Sequence, residues 1–414
     1  MRPARLLAPL ATVVVAIAAN APSASADAAL RSALGGQLAP AGSRAGAHVV
    51  DTANGRVLFS RRADRALTPA SNEKIYTTGS ALLRLGPGGR LRTAALSAVP
   101  LDASGTLTGF LYLRGGGDPT FGSASYAASN YGTGATVEDL ARGLYDAGLR
   151  SVQGSVVGDE NVFDHLRGTA PYGFRPAGDI EGLLSGLSFN RGFSGGDFQN
   201  DPALFSAQRL TSALRALGVT IASAPRTSVT PGGARELAHV DSPTIATLAR
   251  LTNRPSDNYF AETLIKDLGA RLGGAGSTAA GARVVKTTIA RFGVRPTVVD
   301  GSGLSFADRT TARQVVTFLI GLRRGSAGGA FDGSLSGACR SGTLGGRMCG
   351  TAASGNCRGK TGTLPGVSAL SGYCRARNGH TIAFSILMNG VDVGRARFRQ
   401  DNMAAAIART VASR

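Results

Sequence analysis

Lysine is scarce. Only Lys74, Lys266, Lys286 and Lys360 occur among 45 basic residues, so arginine fills the other positions. Arginine stays protonated inside proteins, whereas a buried lysine can lose its proton. A chain built this way keeps lysine where a titratable amine has a use, and each of the four is worth inspecting. Histidine is equally rare: His48, His165, His239 and His380 are scattered, with no H-E-x-x-H. The four cysteines contain no C-x-x-C knuckle. Both absences argue against a zinc site, and no metal or organic cofactor is expected. Beyond one short run at the start, no long apolar stretch appears, so no membrane-spanning helix is expected in the mature chain.

The first residues set the compartment. Arg2 and Arg5 precede an apolar run over residues 6–19, and Ala24-Ser25-Ala26 follows as an A-x-A site. This is the pattern of a secretory signal peptide, residues 1–26. An uncleaved N-terminal anchor is the alternative, and both put the remaining chain outside the cytoplasm. The formal net charge is +19, two fewer without Arg2 and Arg5. An exported protein this basic is drawn to anionic polymers. Nucleic acid is not expected, because export removes it and no basic cluster is interleaved with aromatics.

Export also decides the cysteines. Cys339, Cys349, Cys357 and Cys374 are an even set in an oxidising compartment, which favours disulfides. Pro365-Gly366 reads as a turn between strand-like runs 357–364 and 367–374. If Leu364 opposes Val367, then Cys357 lies opposite Cys374, within disulfide reach. Cys339 is left to pair with Cys349.

A hydrophobic content of 43% fits a globular chain, and the length fits two or three domains. Residues 27–37 read as a helix. Residues 48–51 and 56–60 read as strands around the turn Asn54-Gly55. A helix over 69–85 follows, with Thr68 as N-cap and Pro69 as its first residue, stopped by the glycine-rich stretch 86–89. From about 90 to 241, short apolar runs alternate with glycine-rich turns, with helices near 137–147 and 205–217. Helical periodicity returns at 244–251, 258–268, 278–292 and 311–322. The cysteine hairpin, a strand over 381–388 and a helix near 396–412 close the chain. Strands from both ends imply one discontinuous α/β (α+β) domain, 27–86 with 242–414, interrupted by an inserted domain, 87–241.

Three motifs carry chemistry. In Ser71-Asn72-Glu73-Lys74, residues three apart share a helix face, so Lys74 can reach the Ser71 hydroxyl. A serine is a weak nucleophile until a base takes its proton, and a buried lysine can be that base. The Ser71 amide is one of the unpaired donors at a helix start, free for an oxyanion. Alone the motif is weak: with four lysines in 414 residues, a given serine has one at +3 in ~1% of cases. In Ser256-Asp257-Asn258, a second hydroxyl could relay a proton to a leaving amine, and the Asn258 amide could hold a peptide and orient Lys74. Taken singly, this motif is equally well read as an N-cap. In Lys360-Thr361-Gly362-Thr363, a cation and a hydroxyl on a strand edge suit a carboxylate. Gly362 admits a close backbone, and the Thr363 amide is a second oxyanion donor.

Together, S-x-x-K, S-D-N and K-T-G form the set of penicillin-binding proteins and class A β-lactamases. The chain resembles the class C low-molecular-mass penicillin-binding proteins, the D-alanyl-D-alanine carboxypeptidase/endopeptidase group. Gly116-Gly117-Asp118-Pro119-Thr120, Ala261-Glu262, Asp300-Gly301-Ser302-Gly303-Leu304-Ser305 and Gly342-Thr343-Leu344 extend the resemblance along the chain. It implies a penicillin-binding, serine β-lactamase-like domain, an antiparallel sheet flanked by helices, carrying a large insertion. It also implies action on peptidoglycan stem peptides, acylation by β-lactams, and a place in the cell wall, where anionic polymers would meet the basic surface. Asp159 and Phe163 fall where relatives make further side-chain contacts. Three departures stand out. The stretch after Asn190-Arg191 reaches Asp201-Pro202 early, so a sub-domain is reduced. Phe306 and Pro365 replace residues that in relatives touch the stem-peptide side chain. The rival readings are a serine β-lactamase, which lacks its deacylating E-x-x-L-N here, and a non-catalytic wall-binding module.

Overall fold

A computed structural model describes residues 21–411, with side chains from residue 27. Arg2, Arg5 and the apolar run 6–19 lie outside the described residues. Among these residues no helix is long and apolar enough to cross a membrane.

The central sheet has six strands in the order Ser336–Gly337, Cys357–Leu364, Val367–Arg375, Thr381–Asn389, Ala45–Asp51, Val57–Arg61. All neighbours run antiparallel. Period-two alternation divides its side chains. Val49, Ile382, Phe384 and Ile386 pack with Leu34, Met403 and Ile407 of the two terminal helices, Ala21–Leu38 and Val393–Arg409. Val50, Tyr373 and Ala383 join Ile75, Phe318 and Leu319 on the other face. Residues buried from both sides explain why Thr381–Asn389 is an almost unbroken apolar strand.

On that second face, Asn258–Leu272 is buried along most of its length. It packs on Lys74–Leu85 and on Thr278–Ala290. The last contact is backbone-close, since a Cβ on Gly281 would stand 1.8 Å from the Ile265 carbonyl oxygen.

Residues 92–241 build their own layer. Five strands lie in the order Arg226–Thr227, Val156–Asp159, Leu111–Arg114, Arg92–Ser97, Arg235–Asp241. Helices Val137–Asp146 and Pro202–Ala216 cover a separate apolar core around Leu113, Leu140, Val156 and Leu210. The chain enters and leaves this layer side by side, with Arg92 paired to Asp241 in register and by a 3.0 Å ion pair.

The cysteines pair as the hairpin register predicts. Cys357 sits opposite Cys374 with Cα atoms 4.0 Å apart, and Cys339 joins Cys349 at 4.9 Å. One helix start differs from expectation. The segment after Thr68 is a 3-10 turn, Ala70–Glu73, and the α-helix begins at Lys74. Thr68 caps nothing, because its groups are engaged elsewhere. Its N–H donates to Asn389 Oδ1 at 2.9 Å and its hydroxyl accepts from Arg309 at 2.9 Å.

Candidate active site

The 3-10 turn stacks side chains at i and i+3. Ser71 and Lys74 therefore meet, with Nζ 3.0 Å from Oγ. Lys74 is fully buried, and Ser71 is the partly open residue of this stretch. The turn is pressed into place from below. Ala70 has φ +46°, and Gly303, at φ +81°, lies directly against its carbonyl.

Lys74 Nζ also donates to Asn258 Oδ1 at 2.6 Å and to the Ser302 carbonyl at 2.8 Å. The Ser302 peptide is itself fixed, since Glu262 Oε1 accepts from the Gly301 and Ser302 amides at 3.0 and 2.8 Å. Asn258 opens the helix that Asp257 caps through Phe260 N at 2.9 Å. The Asn258 amide donates to the Asp179 carbonyl at 2.7 Å. Asp257 keeps its outer oxygen on Arg191, whose guanidinium lies over the rings of Tyr131, Tyr259 and Phe260. A cavity of about 380 Å³ opens there, lined by Tyr126, Asn130, Glu181, Arg191 and Asp257.

Ser256 precedes the cap in the left-handed region, φ +70°. Its Oγ accepts from Lys360 Nζ at 2.8 Å. Lys360 is buried and also donates to the Thr361 carbonyl at 2.9 Å. Asn72 Nδ2 reaches the Lys360 carbonyl at 3.0 Å, tying the nucleophile turn to this strand. Gly362 is required at the contact, because a Cβ would stand 2.5 Å from the Pro69 carbonyl oxygen.

Strand Ser336–Gly337 pairs only with Gly359 and Arg358. Beyond them the outer edge of Cys357–Leu364 has no neighbouring strand among the described residues. Ala338 N donates to the Cys357 carbonyl across that edge at 2.9 Å. Antiparallel alternation puts the backbone groups of Thr361 and Thr363 on the same side. The Thr361 hydroxyl donates to Thr343 Oγ1 at 2.8 Å.

The electrostatics concern the two lysines. Burial lowers Lys74 from 10.5 to about 8, opposed by the nearby Asp300 and Glu262. Burial, with the charge of Lys74, pushes Lys360 well below the usual lysine range. Beneath the turn lie Glu73, Glu262, Asp300 and Asp308, all raised, first by burial; neighbouring carboxylates add to the rise at Glu73, Glu262 and Asp308, while amide hydrogen bonds oppose it at Asp300. The negative charges of Asp300 and Glu262 keep the buried Lys74 from falling further.

The structure brings Ser71, Lys74, Ser256, Asn258, Lys360, Thr361, Gly362 and Thr363 to one cleft. Asp159 and Phe163 are not part of it. Asp159 is 4% exposed, and its carboxylate accepts from Asn161 N at 3.0 Å and Thr230 N at 2.7 Å, closing loops of the inserted layer. Phe163 is 3% exposed, with its ring 5.8 Å from Lys266 Nζ. Both are packed into the inserted layer and its border with Asn258–Leu272. Phe306 is half exposed, while Pro365 and Gly366 form the hairpin turn. The Ser302 and Asp179 carbonyls were not foreseen, since backbone acceptors carry no residue signature. The glycines around Ser302 were the available hint.

Comparison with known proteins agrees with this geometry. The profile of the D-Ala-D-Ala carboxypeptidase 3 (S13) family matches residues 28–172 and 196–410. Carboxypeptidase DacB of Mycolicibacterium smegmatis is 30% identical over 281 residues, covering 64% of this chain and 57% of that protein. Carboxypeptidase Rv3627c of Mycobacterium tuberculosis is 30% identical over 285 residues, with the same shares. The chain thus spans little more than half the length of these relatives. Among solved structures, penicillin binding protein 4 (dacB) from Haemophilus influenzae superposes with a TM-score of 0.75 at 20% identity, over 90% of this chain and 97% of that one. A form of it complexed with a novel β-lactam gives 0.72 at 19% identity, with the same coverage. These likenesses establish the fold. The profile match over most of the length establishes that the chain belongs to the D-Ala-D-Ala carboxypeptidase 3 (S13) family.

Proposed function

We propose that the protein is an exported serine D-alanyl-D-alanine carboxypeptidase or endopeptidase that cleaves peptidoglycan stem peptides through an acyl-serine intermediate. The observation that carries this reading is Lys74 Nζ, buried and 3.0 Å from Ser71 Oγ, with a pKa lowered to about 8. Lys74 takes the hydroxyl proton as Ser71 attacks the carbonyl of the penultimate D-alanine. The Ser71 amide and the edge-facing amide of Thr363 receive the oxyanion. Ser256, polarised by Lys360, passes a proton to the leaving amine. The open edge of the Lys360-Thr361-Gly362-Thr363 strand binds the terminal carboxylate, and Asn258 holds the peptide. Water then releases the acyl group, which β-lactams retain for longer. The β-lactam complex of the Haemophilus relative supports the inhibitor class. The basic surface fits anionic wall polymers, and the N-terminal pattern fits secretion.

Intact-mass spectrometry after incubation with benzylpenicillin tests the reading. Wild type is expected to gain one penicilloyl mass, and Ser71→Ala none. A folded wild type that gains no mass and consumes no penicillin removes the proposal.

A further inference from the structure

We infer that Arg397, acting through the Thr363 hydroxyl, selects substrates that end in a free carboxylate. This rests on the acyl-serine reading above. A peptide lying along the open edge of Cys357–Leu364 brings its terminus to Thr361 and Thr363. Lys360 is the cation that the motif offers, yet it is fully buried and already donates to Ser256 Oγ and to the Thr361 carbonyl. The Thr361 hydroxyl is engaged with Thr343. Thr363 differs. It is exposed, and its Oγ1 accepts from Arg397 Nη2 at 3.0 Å.

A hydroxyl has one proton to donate and two lone pairs. With one lone pair held by a guanidinium, the O–H of Thr363 is free to donate outward, and a full positive charge stands behind it. A carboxylate is the group that gains most from such a donor. Arg397 has no carboxylate partner among the described residues. The nearby Asp401 is occupied by Arg347 at 2.7 Å, and Arg347 also donates to the Arg397 carbonyl at 3.3 Å. That brace fixes the turn of Val393–Arg409 that presents Arg397. The helix lies behind the sheet, so the guanidinium approaches Thr363 from outside the cleft and leaves the edge open for substrate.

The test compares an N-acyl-D-Ala-D-Ala peptide with its C-terminal carboxamide, in wild type, Arg397→Gln and Arg397→Lys. Wild type should prefer the free acid. Arg397→Gln should raise KM for the acid roughly 10- to 100-fold, leaving kcat and all carboxamide kinetics nearly unchanged. Arg397→Lys should recover part of the loss. Equal losses on both peptides, no loss on the acid, or a wild type that does not discriminate would each overturn the inference. Benzylpenicillin adducts, measured alongside, separate the two levels. A wild type without an adduct removes the acyl-serine reading and this inference with it. An adduct with unaltered discrimination in Arg397→Gln removes only the role of Arg397.

Discussion

Gly303 lies beneath Ala70 so closely that a Cβ on it would stand 2.0 Å from the Ala70 carbonyl oxygen. Both residues have positive φ, which strains Ala70 and which Gly303 adopts freely, so the close contact aims Ser71. Asp300 anchors the lower one by accepting from Gly303 N at 2.6 Å and Ser305 N at 2.8 Å. Gly303→Ala is expected to cost about 1–3 kcal/mol and to slow penicillin acylation. Thermal unfolding and adduct kinetics measure the two effects. A variant with unaltered melting and unaltered acylation would show that the contact does not aim the serine.

Acylation should follow the neutral fraction of Lys74. Its folded pKa is lowered to about 8, so the rate should rise with pH through that value and level off above it. Lys74→Arg stays charged and should be slower by about 10²–10⁴-fold at every pH. The second-order rate of benzylpenicillin acylation across this range checks both, and a wild-type rate that is flat around pH 8 contradicts the assignment of the base. The linkage has a definite sign. Between about 8 and the unfolded value of 10.5, the unfolded chain binds more protons at this site, so its contribution to stability increases with pH across that window.

Arg191 and Asp257 form an enclosed ion pair next to Asn258, with side chains 12% and 9% exposed. Removing one partner of such a pair leaves a buried charge alone. Arg191→Met is therefore expected to cost about 3–5 kcal/mol and to reduce acylation by loosening the start of Asn258–Leu272. Denaturant unfolding of Arg191→Met beside the double variant with Asp257→Asn measures the pair. If the double variant is no more stable than the single one, the cost comes from lost packing.

The two disulfides should differ in accessibility. Cys357 and Cys374 are buried in the hairpin core, whereas Cys349 is exposed. Graded reduction followed by alkylation and mass spectrometry should label Cys339 and Cys349 first. Ser replacement at Cys357 and Cys374, which close the longer loop, should cost about 2–4 kcal/mol. Simultaneous labelling of all four cysteines would contradict the order.

The legible parts of this protein were those written locally. Pro365-Gly366 sets a hairpin register, and that register alone brings Cys357 opposite Cys374. Ser71 and Lys74 are three residues apart, so one turn suffices to join them. Where distant groups compete, the local signal lost. Thr68 has a good N-cap side chain, but Asn389 and Arg309 claim it. Asp159 and Phe163 rest on resemblance alone, with no motif of their own, and the structure shows them buried in the inserted layer. Arg397 carried no signal at all, being one arginine among many on a helix that reads as a simple sheet cover.

The pairing of Ala45 with Met388 has a consequence for assembly. Contacts this distant in the chain make the central sheet slow to close. The inserted layer has all its strands in hand far earlier, and as the chain emerges it can fold first. Ser71 is synthesised early, yet it waits for Lys360 and the edge strand, which come near the end. A chain cut short anywhere before that strand holds a serine without a cleft. The cleft around Ser71 is thereby completed only when synthesis is all but finished, by the order of the strands along the chain.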